Sequence, residues 1–506
     1  MALIPEYRSL PNTTLAAYFV GAYVLYRIIF SIYLIFFHPL AKFPGPKTWA
    51  VSRIPWARRV IKGDIWQVLD QLHLQYGPVV RIAPDEITTI SPDAWKDLYV
   101  TRPLLPKDPY SQTPPLNGAH SLFTAADDTH KRIRGAIVNA FSDKALRNQS
   151  PIIEHHATRL IERIHREKVK SPNGIINLQK LFGYATFDTI TDLSFGESFD
   201  GLEGDKTGQE NSMIQNFFFH AKFSTIRNCL TRFAPLDIFL GLFLLGKTRA
   251  SRTRNWKNAV DKIERRLAKG DVRDDFLTPV VGRIDETGRK GITSKELTTN
   301  GLAFVIADCQ LSTVALATAT YFLLREPKQW KRLAEEVRGR FVKGEEITVQ
   351  STQGMVYLEA VINETLRIRH PTPISLPRVL PKEGRVVGGV FVPGNTVVGI
   401  NLQNIQTSPT LWVEPEVFHP ERFLPKTDER YEERFEGDVK EAFMPFSTGV
   451  RNCIGSKVFL AQARVFLARL VWTFDLEMQG GQEDWLDQKA FLVFEPKPLF
   501  VKPTSR

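Results

Sequence analysis

Phe446-Ser447-Thr448-Gly449-Val450-Arg451-Asn452-Cys453-Ile454-Gly455 places one cysteine just ahead of a helical pattern that runs from Lys457 to Phe474. A thiol in the last residues before a helix sits in the positive field of the helix N-terminus, which favours thiolate. A thiolate is a strong axial ligand for haem iron and pushes electron density toward the opposite face. The flanking residues suit that chemistry. Gly449 permits a turn, and Gly455, lacking a Cβ, lets backbone approach a flat macrocycle. Phe446 packs near the sulfur and limits water. Arg451 offers a forked cation for a haem propionate. A structural cysteine beside an ordinary helix would need none of these neighbours.

The pattern Phe-x-x-Gly-x-Arg-x-Cys-x-Gly resembles the haem-binding loop of the cytochrome P-450 family. The resemblance implies a mainly α fold with a minor β portion, holding haem b with an axial thiolate from Cys453. It also implies a small-molecule substrate and electrons from a separate NADPH-dependent reductase, with cytochrome b5 as a second candidate donor. No Gly-x-Gly-x-x-Gly unit after a strand offers this chain a nicotinamide site of its own.

Composition narrows the partners. The 506 residues carry 66 Lys and Arg against 55 Asp and Glu, a net charge of +11. That excess suits an anionic membrane surface or an acidic protein partner. No dense basic block interleaved with aromatics marks a nucleic-acid interface. Cys229, Cys309 and Cys453 are too few, and too irregularly spaced, for a disulfide framework or a zinc cluster.

The elements that must position the cysteine follow in chain order. Leu15 to Phe37 is almost wholly apolar, and about 20 such residues cross a bilayer as a helix. Arg27 interrupts the run at a cost of roughly 2.5–3.5 kcal/mol on insertion scales. Phe36-Phe37-His38-Pro39 offers no small-residue cleavage site. Lys42, Lys47, Arg53, Arg58 and Arg59 follow the span and only Arg8 precedes it, which orients the body of the protein to the cytosol. Residues 1–38 thus read as a membrane anchor, 39–60 as a proline-rich hinge around Phe43-Pro44-Gly45-Pro46, and 61–506 as one catalytic domain. Asp64 to Tyr76 has helical spacing, and Val79–Ile82 with Ile87–Ile90 reads as a hairpin. Pro103 to Pro115 is a long loop, which in the family borders the substrate. Phenylalanines crowd Asn211 to Phe243, the family's lid region, and favour an apolar substrate. Gly301 to Leu324 is apolar all round, as the buried centre of a helical domain would be.

His130 and Arg134 stand one turn apart in a helix over Asp127 to Phe141, near enough to grip one propionate together. By spacing alone a solvated basic face is the simpler reading, and it is the family's His-x-Arg-x-Arg pattern that implies the propionate. Glu364 and Arg367 share a face of a helix over Thr352 to Arg369. A buried Glu–Arg pair needs further hydrogen bonds, and Arg422 of Pro420-Glu421-Arg422-Phe423 is placed to supply them. This Glu364-Arg367-Arg422 triad and a propionate contact at Arg378 are what the resemblance implies.

One stretch departs from the family. Most members carry Ala/Gly-Gly-x-Asp/Glu-Thr in the central helix, where acid and hydroxyl relay protons. Counted back from Leu323-Leu324-Arg325-Glu326-Pro327, that motif falls on Ala307-Asp308-Cys309-Gln310-Leu311. Asp308 replaces the glycine, Gln310 the acid and Leu311 the threonine, while a one-residue slip restores a hydroxyl at Ser312. Gln310 orients water but does not titrate. Two accounts follow. In one, a monooxygenase relays protons through Asp308, Gln310 and Ser312. In the other, a haem-thiolate isomerase, dehydratase or cyclase activates no dioxygen. The linker and Phe141-Ser142 resemble fungal members that tailor terpenoid or polyketide metabolites, tethered by a single pass to the endoplasmic reticulum.

Overall fold

The computed structural model describes residues 12–112, 114–115, 118–203, 221–233, 256–270 and 273–506. The central helix, Ser294–Arg325, organises them. It starts at a capping box, in which the Thr293 hydroxyl accepts from the Glu296 N–H and the Glu296 carboxylate accepts from the Thr293 N–H at 3.0 Å. Two-thirds of its most apolar window is buried, so it is a core helix despite a length and composition that would suit a bilayer.

Its main neighbour is the helix Leu178–Phe195, buried at every position from Leu181 onward. Gly183, Thr186, Cys309 and Thr313 are small enough for the two backbones to approach. The Thr186 hydroxyl donates to the Cys309 carbonyl at 3.1 Å and lies 2.9 Å from the Thr313 hydroxyl. Around this pair pack the helices Asp143–Lys170, Val356–Ile368 and Ser456–Thr473, enclosing one large apolar core.

Strands are few and lie at the margin. The hairpin β1 (Val79–Ala83) and β2 (Glu86–Thr89) continues into β7 (Val397–Ile400), parallel to β2, and then into β4 (Arg378–Val379), antiparallel to β7. This sheet shares a second core with Leu40, Phe43, Trp95 and Trp412. β5 (Arg385–Val387) and β6 (Val390–Val392) form a hairpin that turns at Gly388 and Gly389, both at positive φ, as a tight two-residue turn requires. β3 (Ile176–Asn177), β9 (Phe500–Ser505) and β8 (Phe474–Met478) make the last sheet.

The N-terminal helix, Asn12–Phe36, projects its aromatic and aliphatic side chains outward, with 6% of its most apolar window buried. Its last turn is rooted in the body, where Arg81 donates to the Leu34 carbonyl at 2.8 Å. Within residues 39–60, Leu40, Phe43 and Trp49 are buried, and helices Lys47–Val51 and Ile54–Lys62 form there. Prolines at 46 and 55 sit where helices begin, so they start structure as well as stop it. Most of the phenylalanine-rich run, including Phe217 to Phe219, lies outside the described residues.

The described part of that run is a helix over 221–230 ending near Arg232. The Arg232 guanidinium pairs with buried Asp108 of the 103–115 loop and lies over the Trp56 and Tyr110 rings. Arg232→Gln is expected to release this loop, read out as faster amide exchange at Tyr110 and Ser111 with Thr186 and Thr313 unchanged. Unchanged exchange at Tyr110 and Ser111 would show that the pair does not hold the loop.

Candidate active site

The cysteine loop doubles back on itself. The Cys453 N–H donates to the Phe446 carbonyl at 2.9 Å and the Asn452 N–H to Gly449 at 3.1 Å. Ser447 and Gly449 both take positive φ, 56° and 76°. A Cβ on Gly449 would also collide with the Tyr99 carbonyl, so glycine is required there twice over. Gly449→Ala is therefore expected to cut the yield of haem-loaded protein severely, measured as haem absorbance per protein. Gly455, ahead of the helix Ser456–Thr473, faces open space. Phe446 packs edge-on against Phe459, with ring centres 5.7 Å apart. From behind, His370 Nε2 donates to the Pro445 carbonyl at 2.9 Å, a brace that the sequence alone did not suggest.

Solvent reaches Cys453, yet protein crowds the sulfur. Burial pushes its thiol up, against the Gly455 and Ser456 N–H groups and the Arg134 charge. The helix-terminus field foreseen from sequence is present, but desolvation outweighs it. Metal coordination would favour the thiolate against that burial.

The expected propionate residues gather beside this loop without sharing one partner. His130 is buried, and burial followed by the Arg451, Arg134 and Lys107 charges pushes it down to about 4, so it is neutral at physiological pH. Arg134 donates to the Asn452 carbonyl at 2.9 Å and to Asn452 Oδ1 at 2.7 Å, tying the helix Asp127–Ile137 to the cysteine loop. Arg451 returns the contact, donating to Asp127 at 2.8 Å and to the Ala125 carbonyl at 3.2 Å. Arg378, 8% exposed, donates to the Leu376 and Pro377 carbonyls and lies over the Tyr99 ring. Lys107 joins them, pushed down to about 7 by burial and by the Arg451 and Arg378 charges. Asp127 is the carboxylate that opposes this set. Three guanidiniums, a lysine half charged near neutrality and a neutral imidazole, with Asp127 the opposing carboxylate among the described residues, are the donor set a dianionic macrocycle would take, so the residues present fit a haem with two propionates.

Glu364, Arg367 and Arg422 meet with no side-chain exposure. Arg367 forks onto Glu364 at 2.7 and 2.8 Å and also donates to the Gln406 and Pro415 carbonyls. Arg422 reaches Glu364 and is neutralised at 2.6 Å by Asp438, a fourth member not foreseen from sequence.

Midway along the central helix the burial pattern breaks. Ala303, Phe304, Ala307, Asp308 and Leu311 are half-buried, and Ile306 is 36% exposed, while Leu302, Val305, Cys309, Gln310 and Ser312 are buried. Ala303, Ala307 and Leu311 recur at four-residue spacing with Phe304 and Asp308 beside them, so these five line one side of the helix. Within it Asp308 Oδ1 accepts from the Ser312 hydroxyl at 2.9 Å, and Oδ2 is buried without a partner among the described residues. Burial pushes the Asp308 carboxyl up to about 7, against that hydroxyl. Asp308 is near enough to Cys453 for its charge to raise the thiol further. Neither carboxamide atom of Gln310 has a partner among the described residues.

The family model described as cytochrome P450 matches residues 43–503. The chain belongs to the cytochrome P-450 family. This P-450 is 34% identical to the monooxygenase atr2 of Stereocaulon alpinum over 99% of both chains. It is 35% identical to an averantin hydroxylase of Dothistroma septosporum, over 96% of this chain and 91% of the relative. It is likewise 35% identical to the monooxygenase stcF of Emericella nidulans, over 96% and 98%. It is thus a haem-thiolate monooxygenase by family, mainly helical with a minor strand portion.

Proposed function

We propose that this P-450 is a membrane-anchored monooxygenase that oxidises an apolar small molecule, a terpenoid or polyketide, in fungal secondary-metabolite biosynthesis. Cys453 is the axial ligand of haem b, with His130, Arg134, Arg378 and Arg451 around its propionates and Phe446, Gly449 and Gly455 shaping the thiolate side. Glu364, Arg367 and Arg422 brace the scaffold. When bound, the haem supplies reductive activation of dioxygen with electrons passed from NADPH by a separate reductase, with cytochrome b5 as a second donor. The N-terminal helix crosses the endoplasmic reticulum membrane once, and the basic residues after it keep the catalytic domain cytosolic.

The observation that carries the oxygenase reading is the Asp308–Ser312 pair. A carboxyl titrating near neutrality, oriented by a hydroxyl and with a second oxygen unengaged, is an acid–alcohol relay moved along the helix from its usual positions. Gln310 holds a water for it. The half-buried apolar Leu311 favours a second reading, an isomerase, dehydratase or cyclase that needs no proton relay.

Membranes holding the chain and a reductase, fed averantin and other candidate metabolites under labelled dioxygen, separate the two. Label in an NADPH-dependent product is expected. Unlabelled product formed without NADPH would overturn the oxygenase reading. Resistance of the full chain to alkaline carbonate extraction is expected from the anchor, and release would remove it.

A further inference from the structure

His370 lies just past the helix Val356–Ile368 and is 6% exposed. Its N–H donates to Gln403 Oε1 at 2.9 Å, which fixes the backbone that carries the ring. Burial pushes the imidazole down, against the Pro445 and Thr372 carbonyls, so the ring is neutral at physiological pH. A neutral imidazole has one proton to give. The Thr372 N–H donates to Nδ1 at 3.1 Å, so that proton sits on Nε2 and is given to the Pro445 carbonyl at 2.9 Å.

Pro445 has no N–H, and its carbonyl is the group by which the chain entering the cysteine loop can be held. Holding that oxygen sets the plane of the 445–446 peptide. The plane in turn sets where the Phe446 ring meets Phe459 and where the Phe446 carbonyl accepts the Cys453 N–H. On the other side, the Pro371 carbonyl accepts from the Phe494 N–H at 3.3 Å. Phe494 is fully buried against Trp66 and against Val314 of the central helix. It belongs to a turn over 489–495, closed by the Glu495 N–H on the Lys489 carbonyl at 2.8 Å. The same turn carries the helix over 221–230. Lys222 pairs with Glu495 at 3.3 Å and lies over the Phe491 ring, and the Thr225 hydroxyl donates to the Phe491 carbonyl. Contacts thus run from the lid-region helix to the cysteine and pass through residues 370 and 371.

We propose that His370 is a positioning residue that couples the 489–495 turn to the cysteine loop, so that a shift of the lid-region helix is felt at the sulfur. The coupling rests on Cys453 as the haem ligand proposed above, whereas the hold on the loop does not.

The test uses the purified full-length parent, His370→Leu, His370→Gln and His370→Asn, each with and without Thr225→Val. Glutamine places an N–H where imidazole Nε2 stands, asparagine only where Nδ1 stands, and leucine offers neither. In the ferrous carbon monoxide complex, the ratio of thiol-type to thiolate-type Soret absorption is expected to rise about fivefold in His370→Leu and His370→Asn, as loss of one hydrogen bond would cause. His370→Gln should restore the parental ratio, which a merely structural role of the ring would not allow. Thr225→Val should change the ratio of ferrous to ferric iron at a fixed applied potential about threefold in the parent and in His370→Gln, and leave it unchanged in His370→Leu. A parental Soret ratio in His370→Leu would overturn the positioning role. A Thr225→Val change that persists in His370→Leu, or that is absent from the parent, would overturn the coupling. A parent without any thiolate-type band would defeat the haem reading instead. Amide exchange at Cys453 then decides the hold on the loop: faster in His370→Leu and parental in His370→Gln supports it, and equal rates in all three overturn it. His370→Asn replaces the leucine variant throughout if the latter does not fold.

Discussion

Arg367→Ala is expected to leave no folded, haem-loaded protein at growth temperature. The substitution removes the fork that holds Glu364 at 2.7 and 2.8 Å inside a fully buried cluster. Arg422 remains at 3.2 Å, and the His419 N–H donates at 2.9 Å, but Arg422 is already committed to Asp438. The Gln406 and Pro415 carbonyls lose their donor at the same time. Removing one partner of a buried pair costs about 3–5 kcal/mol, a large share of the 5–15 kcal/mol that holds a typical domain. Arg367→Lys should fare little better, since an ammonium cannot fork onto Glu364 and still reach two carbonyls. Haem absorbance per protein and trypsin resistance read the outcome. A variant that unfolds at the parent's temperature would show that the cluster serves something other than stability.

This cluster also shows how far sequence reading reached. Glu364, Arg367 and Arg422 are legible because helical spacing and chain order mark them, whereas Asp438 lies among short turns whose pattern marks nothing. Lys107 was hidden for a related reason. Its partner Arg378 is brought opposite by a single bridge across 271 residues, and periodicity carries no such information. The central helix and the cysteine helix were readable from apolar runs long enough to outlast local ambiguity. In the segment 39–60 proline both breaks a periodic run and favours the first turn of a helix, so the helices that begin at Pro46 and Pro55 carry no signal of their own in the sequence. At Cys453 the local helix field could be inferred, but the burial that outweighs it is a property of the assembled core.

Asp308→Asn is expected to lower product formed per NADPH by about 100-fold, the lower end of what a positioned proton donor contributes. Asparagine keeps the shape and the contact with Ser312 but carries no transferable proton. Reducing equivalents should then emerge as hydrogen peroxide, with substrate affinity unchanged because no binding group has been lost. In the parent, the proton-bearing form of Asp308 prevails below about 7, so product per NADPH should fall as pH rises through that value. The variant should be low and flat. Ser312→Ala removes the hydroxyl that lowers the Asp308 value, so its midpoint should move upward with a smaller loss of rate. Stability carries the same sign. The folded value lies above the ordinary 3.8, so the contribution of Asp308 is full below about 4 and is lost as pH rises through about 7. Asp308→Asn should abolish that part of the slope in a urea titration against pH. A variant that keeps both parental coupling and the parental pH profile would remove Asp308 from the relay and return the oxygenase reading to Gln310 and water.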